Sequence, residues 1–233
     1  MLAIVGLLFE ARIAAGPGVV VVCREAGRSL ARSLENARKE GYRSIISFGV
    51  AGGLCPDLRP GDWIVASSIV SAKASYATDL PLSRKLLQAV PGAEYAPIAG
   101  VDRPVLDALA KRDFHRRVGA VAVDMESHLV AEFAITNGLA FAAVRVVIDP
   151  AHRSVPASAL AGLRPDGGTQ AGTVLRELLR SPRDVPQLAR LVVDALAARS
   201  ALVRTRRSLG PGFGLLEPAH EEPASLPSLG GTA

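Results

Sequence analysis

Between Ser47 and Val65 the chain reads SFGVAGGLCPDLRPGDWIV, an apolar run, then glycines at 49, 52 and 53, then a Pro-Gly-Asp turn and a second apolar run. Glycine has no Cβ, so it lets a backbone take positive φ or come close to another group. A segment this bare, set between two strand-like runs, constrains the fold more than any other feature. It is not a phosphate-binding loop of the usual kinds: no Lys-Ser or Lys-Thr follows Gly53, and the G-x-G-x-x-G spacing is absent. A tight strand-to-strand turn without a ligand and a turn that holds one fit the spacing equally.

The surrounding pattern alternates strands and helices. LAIVGLLF and GVVVVC are short apolar runs bounded by turn residues and read as strands. GRSLARSLENARKEGY places Leu30, Leu34 and Ala37 at helical spacing and ends at Gly41. SIISFGV and DWIVASSIV read as strands on either side of the glycine turn, LSRKLLQAV as a short helix, and YAPIAGV and VGAVAVDM as further strands. SHLVAEFAITNG reads as a helix, and LAFAAVRVVI as a buried strand ending at Asp149-Pro150. The expectation is an α/β protein, a single three-layer domain with a mixed, mostly buried sheet flanked by helices, over residues 1–184. Residues 156–181 suggest helix interrupted by LRPDGGTQ. Residues 185–207 form an added helix with Leu188, Leu191, Val192, Ala195 and Leu202 on one face. From Ser208 to the end, five Gly and four Pro in 26 residues point to an irregular, flexible tail.

Composition removes several function classes. Hydrophobic residues make up 49% of the 233, enough for a full core. The start, MLAIVGLLFEARIA, lacks a basic leader and breaks at Glu10, so it reads as a buried first strand rather than a signal or membrane segment. Cys23 and Cys55 make neither a disulfide framework nor a metal-ligand cluster, so no metal and no cofactor is expected. The net charge of +5 raises nucleic acid as a partner, but the cations are scattered and aromatics are 4%, too few for a stacking platform. Only RTRR at 204–207 is dense, and with the apolar face before it this allows a weak, peripheral contact with an anionic membrane. The helix start is expected to dock and the RTRR end to touch lipid.

Two further stretches carry acids at strand ends, where side chains leave a sheet toward a crevice. VAVDMES sets Asp124, Met125 and Glu126 at a strand-to-helix junction, and RVVIDPAHRS ends a very apolar strand with Asp149. Taken singly, Glu126 reads equally as a helix-start carboxylate favoured by the helix dipole, and Asp149 as a turn acid.

Taken in order, GVAGGLCPDLRPGD, VDMES and FAAVRVVIDPA resemble the nucleoside phosphorylase and nucleosidase superfamily over roughly residues 1–180. Within it, VGLLFEARIA, DPAHRSVP and the helix after LLRSPRDVPQLARL are similar to the hopanoid-associated phosphorylase subgroup, which removes adenine from adenosylhopane. The resemblance implies a nucleoside phosphorylase-like fold, a cytoplasmic or inner-membrane-surface homo-oligomer, and a small nucleoside substrate with an apolar 5′ group. It implies roles as well. Asp149 would be the general acid at the purine N7, and Glu126 with Met125 would hold the ribose. Glu10 would activate the attacking water, with Arg145 orienting that water or bracing Glu10, or else serving only in a buried salt bridge. Asp124, Val50, Ala51 and Gly52 complete the substrate-binding set. Phosphorolysis is the alternative, for which Arg24 is the phosphate candidate. Methylthioadenosine or S-adenosylhomocysteine cleavage and a non-catalytic nucleoside-binding protein are the other readings. Val50 stands where methylthioadenosine nucleosidases often have serine, and Arg103-Pro104 is no aromatic clamp for a base, which turns the expectation away from small thioadenosines.

Overall fold

The computed structural model describes residues 1–24, 30–156 and 185–215. In chain order the elements are β1 (Leu2–Val5), α1 (Leu8–Ala14), β2 (Val20–Cys23), α2 (Leu30–Lys39), β3 (Ser44–Gly53), β4 (Trp63–Val70), β5 (Ser75–Ala77) and α3 (Leu80–Ala89). They continue with β6 (Glu94–Gly100), α4 (Ala108–Val118), β7 (Ala122–Asp124), α5 (Ser127–Thr136), β8 (Ala140–Asp149) and α6 (Val185–Leu209). The helix expected within 156–181 lies outside the described residues, as does the tail beyond residue 215.

The sheet is mixed. β1 lies parallel to β2 and β3, β3 is parallel to β8, and β6 is parallel to β4 and β7. β3 runs antiparallel to β7, and β4 antiparallel to β8 and β5. Following the pairs β3–β8–β4–β6–β7 returns to β3, so five strands close into a distorted barrel from which β1, β2 and β5 extend. Closure follows from β3 itself. It pairs with β8 along its length and then shifts register between Ala51 and Gly52, so that Gly52 and Gly53 also meet β7.

Alternate residues of the strands feed two apolar cores. Leu2, Ile4 and Ile45 face α2 and α5, through Leu34, Ala37, Val130 and Ala134. Ala3, Val5 and Phe48 face α1, α3 and α6, through Ala14, Leu86, Ala198 and Leu202. A helix–sheet–helix sandwich results, as the period-two runs imply.

Three expectations are corrected and two elements are added. The first apolar run is a strand only to Val5. Glu10 sits at the third position of α1 and its carboxylate accepts from the amides of Gly6 (2.9 Å) and Leu7 (2.8 Å), which starts a helix where the strand would have continued. The glycine segment is no turn: β3 runs unbroken to Gly53, and the reversal falls in residues 54–62. Helix α4 and the short strand β5 come from stretches without a clear apolar period. The third correction concerns the end of the chain. α6 reaches Leu209, and the chain then folds back through a tight turn at Pro211–Gly214. Phe213 is buried there, with its ring centroid 5.1 Å from that of Phe48. Burying one such side chain contributes roughly 1.5–3 kcal/mol, enough to order a short segment despite its glycines.

The docking of α6 is also the reverse of the expected split. Its second half packs, with Ala198, Ala201, Leu202 and Leu209 buried. Arg206 of the RTRR run is internal. It donates to the carbonyls of Ala14 and Gly210 (both 2.9 Å) and lies 4.6 Å from the Phe213 ring centroid, so it is not a lipid-facing cation. In the first half Leu188 is buried while Val192, Val193 and Leu196 are 55–65% exposed. Among the described residues no helix is long and apolar enough to cross a membrane.

Candidate active site

The carboxyl ends of β1, β3 and β8 point the same way, and a cavity of about 690 Å³ opens above them. Glu10, Val50, Ala51, Gly52, Met125, Glu126 and Asp149 all line it, and so does Asp124. The elements explain the convergence: α1 follows β1, α5 follows β7, and Asp149 is the last residue of β8, level with Gly52.

Glu10 is 2% exposed. Besides the amides of Gly6 and Leu7 on Oε2, its Oε1 accepts from Val50 N–H at 2.7 Å. A carboxylate offers about four acceptor sites, so three amides leave one, on Oε1. Burial pushes the Glu10 carboxyl up, and the Arg145 charge and the amide bonds only partly offset this, which leaves it at about 7. The glycines make this seat. A Cβ on Gly49 would lie 2.3 Å from Glu10 Oε1, and one on Gly6 would lie 2.9 Å from the Glu126 carboxyl carbon. Bare backbone in this part of the chain is therefore occupied by the protein's own carboxylates. Gly49→Ala is expected to displace Glu10 and cost about 1–3 kcal/mol, the usual range for overpacking. A urea unfolding midpoint equal to wild type would show that the carboxyl does not need that space.

Glu126 begins α5, and its carboxyl is raised by burial first and by the nearby Asp124 second, against the opposing charges of Arg145 and Arg24. Arg24 Nη1 donates to Glu126 Oε1 and to the Met125 carbonyl, both at 3.2 Å. The phosphate candidate is therefore engaged with the ribose candidate. Asp124 lines the cavity, yet its oxygens are committed. Oδ1 accepts from the amides of Glu126 and Ser127 and from the Ser127 hydroxyl, and Oδ2 from Arg145 Nε at 2.8 Å. Arg145 is 2% exposed and also donates to Ser47 Oγ (2.6 Å) and the Val144 carbonyl. It lies beneath the cavity as half of a buried ion pair, acting on Glu10 through its charge.

Asp149 is pushed above the ordinary carboxylate range by burial, against the pull of Lys111. Lys111, wholly buried on α4, donates to Asp149 Oδ2, to the Pro150 carbonyl (3.2 Å) and to the Arg153 carbonyl (2.9 Å). Among the described residues no hydrogen bond reaches Asp149 Oδ1. Lys111 and Ser47 escaped the sequence reading. The signal for Lys111 was available, since Lys111, Phe114, His115 and Val118 follow one helical face of an otherwise cationic helix.

Apart from Arg199 of α6, the rest of the cavity wall is apolar. Leu188, Leu191, Val192, Ala195 and Leu196 of α6 close one side, and Val101, Pro104, Val105 and Leu106 another. Among the described residues no cluster of His, Cys, Asp and Glu is arranged to hold a metal.

Comparison with known proteins gives the family and the fold. Residues 5–181 match the family model described as the phosphorylase superfamily. A search of curated proteins found no match. Among solved structures, the chain is similar to the 5′-methylthioadenosine/S-adenosylhomocysteine nucleosidase of Helicobacter pylori bound to butyl-thio-DADMe-Immucillin-A. The identity is 16% and the TM-score 0.59, over 89% of this chain and 98% of that one. The corresponding nucleosidase of Campylobacter jejuni gives 16%, 0.57, and 87% and 98%. A futalosine hydrolase mutant of Helicobacter pylori gives 18%, 0.54, and 63% and 88%. With three-quarters of its length matched and the same fold in these structures, the chain belongs to the phosphorylase superfamily.

Proposed function

We propose that this protein uses water to cleave the N-glycosidic bond of an adenosine-type nucleoside, releasing adenine, and that the substrate carries a large apolar 5′ group, with adenosylhopane as the leading candidate. The observation that carries the reading is three carboxylates facing one cavity, Glu10 and Asp149 buried and Glu126 half-buried, each set at or just after the end of a different strand. Glycosidic cleavage builds positive charge on the ribose and negative charge on the leaving base, and a site accelerates it by matching both.

Asp149, whose carboxyl is raised by burial, gives its proton to N7 as the C1′–N9 bond breaks. Glu126 accepts from the ribose hydroxyls, and its charge favours the oxocarbenium-like sugar. Glu10 holds a water on its one remaining acceptor site and takes the proton that this water loses as it bonds to C1′. Arg145 and Asp124 keep that end of the site rigid from below. Water is favoured over phosphate because Glu10 and Glu126 would both repel an anion and Arg24 is already paired with Glu126. The apolar 5′ group is supported by the α6 wall, whose Val192 and Leu196 carry the lining out to solvent.

The test is adenine release from adenosylhopane, methylthioadenosine and inosine, each with and without phosphate. Free adenine from the first, unaffected by phosphate, is the expected result. A sugar 1-phosphate in the products would replace hydrolysis with phosphorolysis, and no release from any nucleoside would remove the reading. Glu126→Gln should weaken turnover on the ribonucleoside more than on its 2′-deoxy analogue, since bonds to a charged acceptor are roughly twice as strong as neutral ones. Equal losses on the two would take Glu126 away from the ribose.

A further inference from the structure

We propose that Lys111 is a positioning residue for the proton transfer to the leaving base: its ammonium holds Asp149 by Oδ2, turns Oδ1 to the cavity, and stabilises the carboxylate that remains once the proton has gone. The inference rests on the nucleosidase reading above.

A lysine with no exposed surface is rare, because an unpaired buried ammonium is costly. Here every proton is placed. An ammonium has three donors, and three oxygens surround it, from Asp149, Pro150 and Arg153. Such a nitrogen has no lone pair left to act as a base. Its place is held by the contacts of α4. Asp107 caps the helix through the amides of Leu109 and Ala110, Ser154 Oγ accepts from Ala108 N–H, and Val155 N–H donates to the Leu106 carbonyl. Helix α4 is thereby fastened to the segment that follows Asp149.

Among the described residues, the charged groups acting on Asp149 are Lys111 from α4, Arg153 from the following loop and Asp194 from α6. Arg153 and Asp194 pair with each other, so Lys111 is the one in direct contact. In the reaction Asp149 Oδ1–H passes its proton to N7, the C1′–N9 electron pair goes to the base, and Asp149 becomes an anion against a waiting cation. Without Lys111 that anion would be left buried and unpaired, so the acid would be too weak to give its proton away.

Lys111→Met removes the charge, and Lys111→Gln does so while keeping donors for the two carbonyls, so one folded variant of the two suffices. Lys111→Arg keeps the charge. The Asp149 carboxyl is followed by ¹³C NMR across pH, assigned by its absence in Asp149→Asn. This readout needs no turnover. In the neutral variants its titration should move up by about one unit or more, the usual effect of losing an adjacent opposite charge, while the Arg variant stays near wild type. The alkaline limb of the rate profile should move up with it, and kcat should fall about tenfold or more with KM little changed, as weaker acids transfer protons less readily. An unmoved titration overturns the proposal whether or not the protein is active. A moved titration with wild-type kcat overturns it too. Wild-type protein inactive on every nucleoside would defeat the nucleosidase reading instead, and the titration would still decide whether Lys111 controls Asp149.

Discussion

Asp149→Asn should lose about 10²-fold or more of its adenine-releasing turnover, the usual contribution of a positioned general acid. The expectation comes from the surroundings of the residue. The side chain is largely buried, the ammonium of Lys111 occupies one oxygen, and the residue lines the cavity. An amide can fill the same space, and its oxygen can still accept from Lys111. It cannot hand a proton to N7. The loss should therefore fall on kcat, with substrate binding changed little, while the unfolding midpoint drops because the buried Lys111 ammonium loses its counter-charge. Single-turnover rates together with thermal unfolding separate these outcomes. Near-wild-type turnover in a folded variant would exclude Asp149 from the chemistry.

Glu10→Gln is the second change of this size, with a loss of about 10²-fold or more expected for a removed general base, in phosphate and in phosphate-free buffer alike. Glutamine also places an NH2 against an amide donor, either Val50 N–H or the pair from Gly6 and Leu7. Some destabilisation is expected beside the kinetic loss, and an unfolding curve measures it separately. In the wild type the base must be ionised to accept a proton. With the Glu10 carboxyl at about 7, the rate should fall as pH drops below 7, and this acid limb should vanish in the variant. The effect on stability runs the other way. The value is raised from 4.5, so the protonated form is the one the fold favours, and that contribution is complete below 4.5 and lost as pH rises through about 7. Activity therefore develops over the pH range in which the fold loses this contribution. An acid limb far below pH 7, or one that persists in Glu10→Gln, would assign the base to another group.

Much of this protein was legible in its residues alone. The period-two apolar runs determined buried strands, and their alternation with helical spacings determined a layered α/β fold, because a strand hides one face at a time and each layer needs a partner. Asp149 at the end of LAFAAVRVVI and Glu126 after VAVDM were visible as acids leaving a sheet. Other features depended on contacts between residues far apart in the chain. The glycine stretch reads as a turn until β7 and β8 are both seen to pair with it, and the reason for Gly49 is a carboxylate 39 residues earlier in the chain. Asp124 and Arg145 look like two separate site residues in sequence, and only the fold joins them into one buried pair. Lys111 lies in a run of surface-like charges, and Phe213 in a run of glycines and prolines; each is buried because a distant element supplies its partners, Asp149 for the one and Phe48 with Arg206 for the other. Local sequence sets which residues can leave water together. Which charge meets which, and hence which carboxyl can act as acid or base, is decided only when the barrel closes, because burial and opposite charge act over a few ångströms of space and not along the chain.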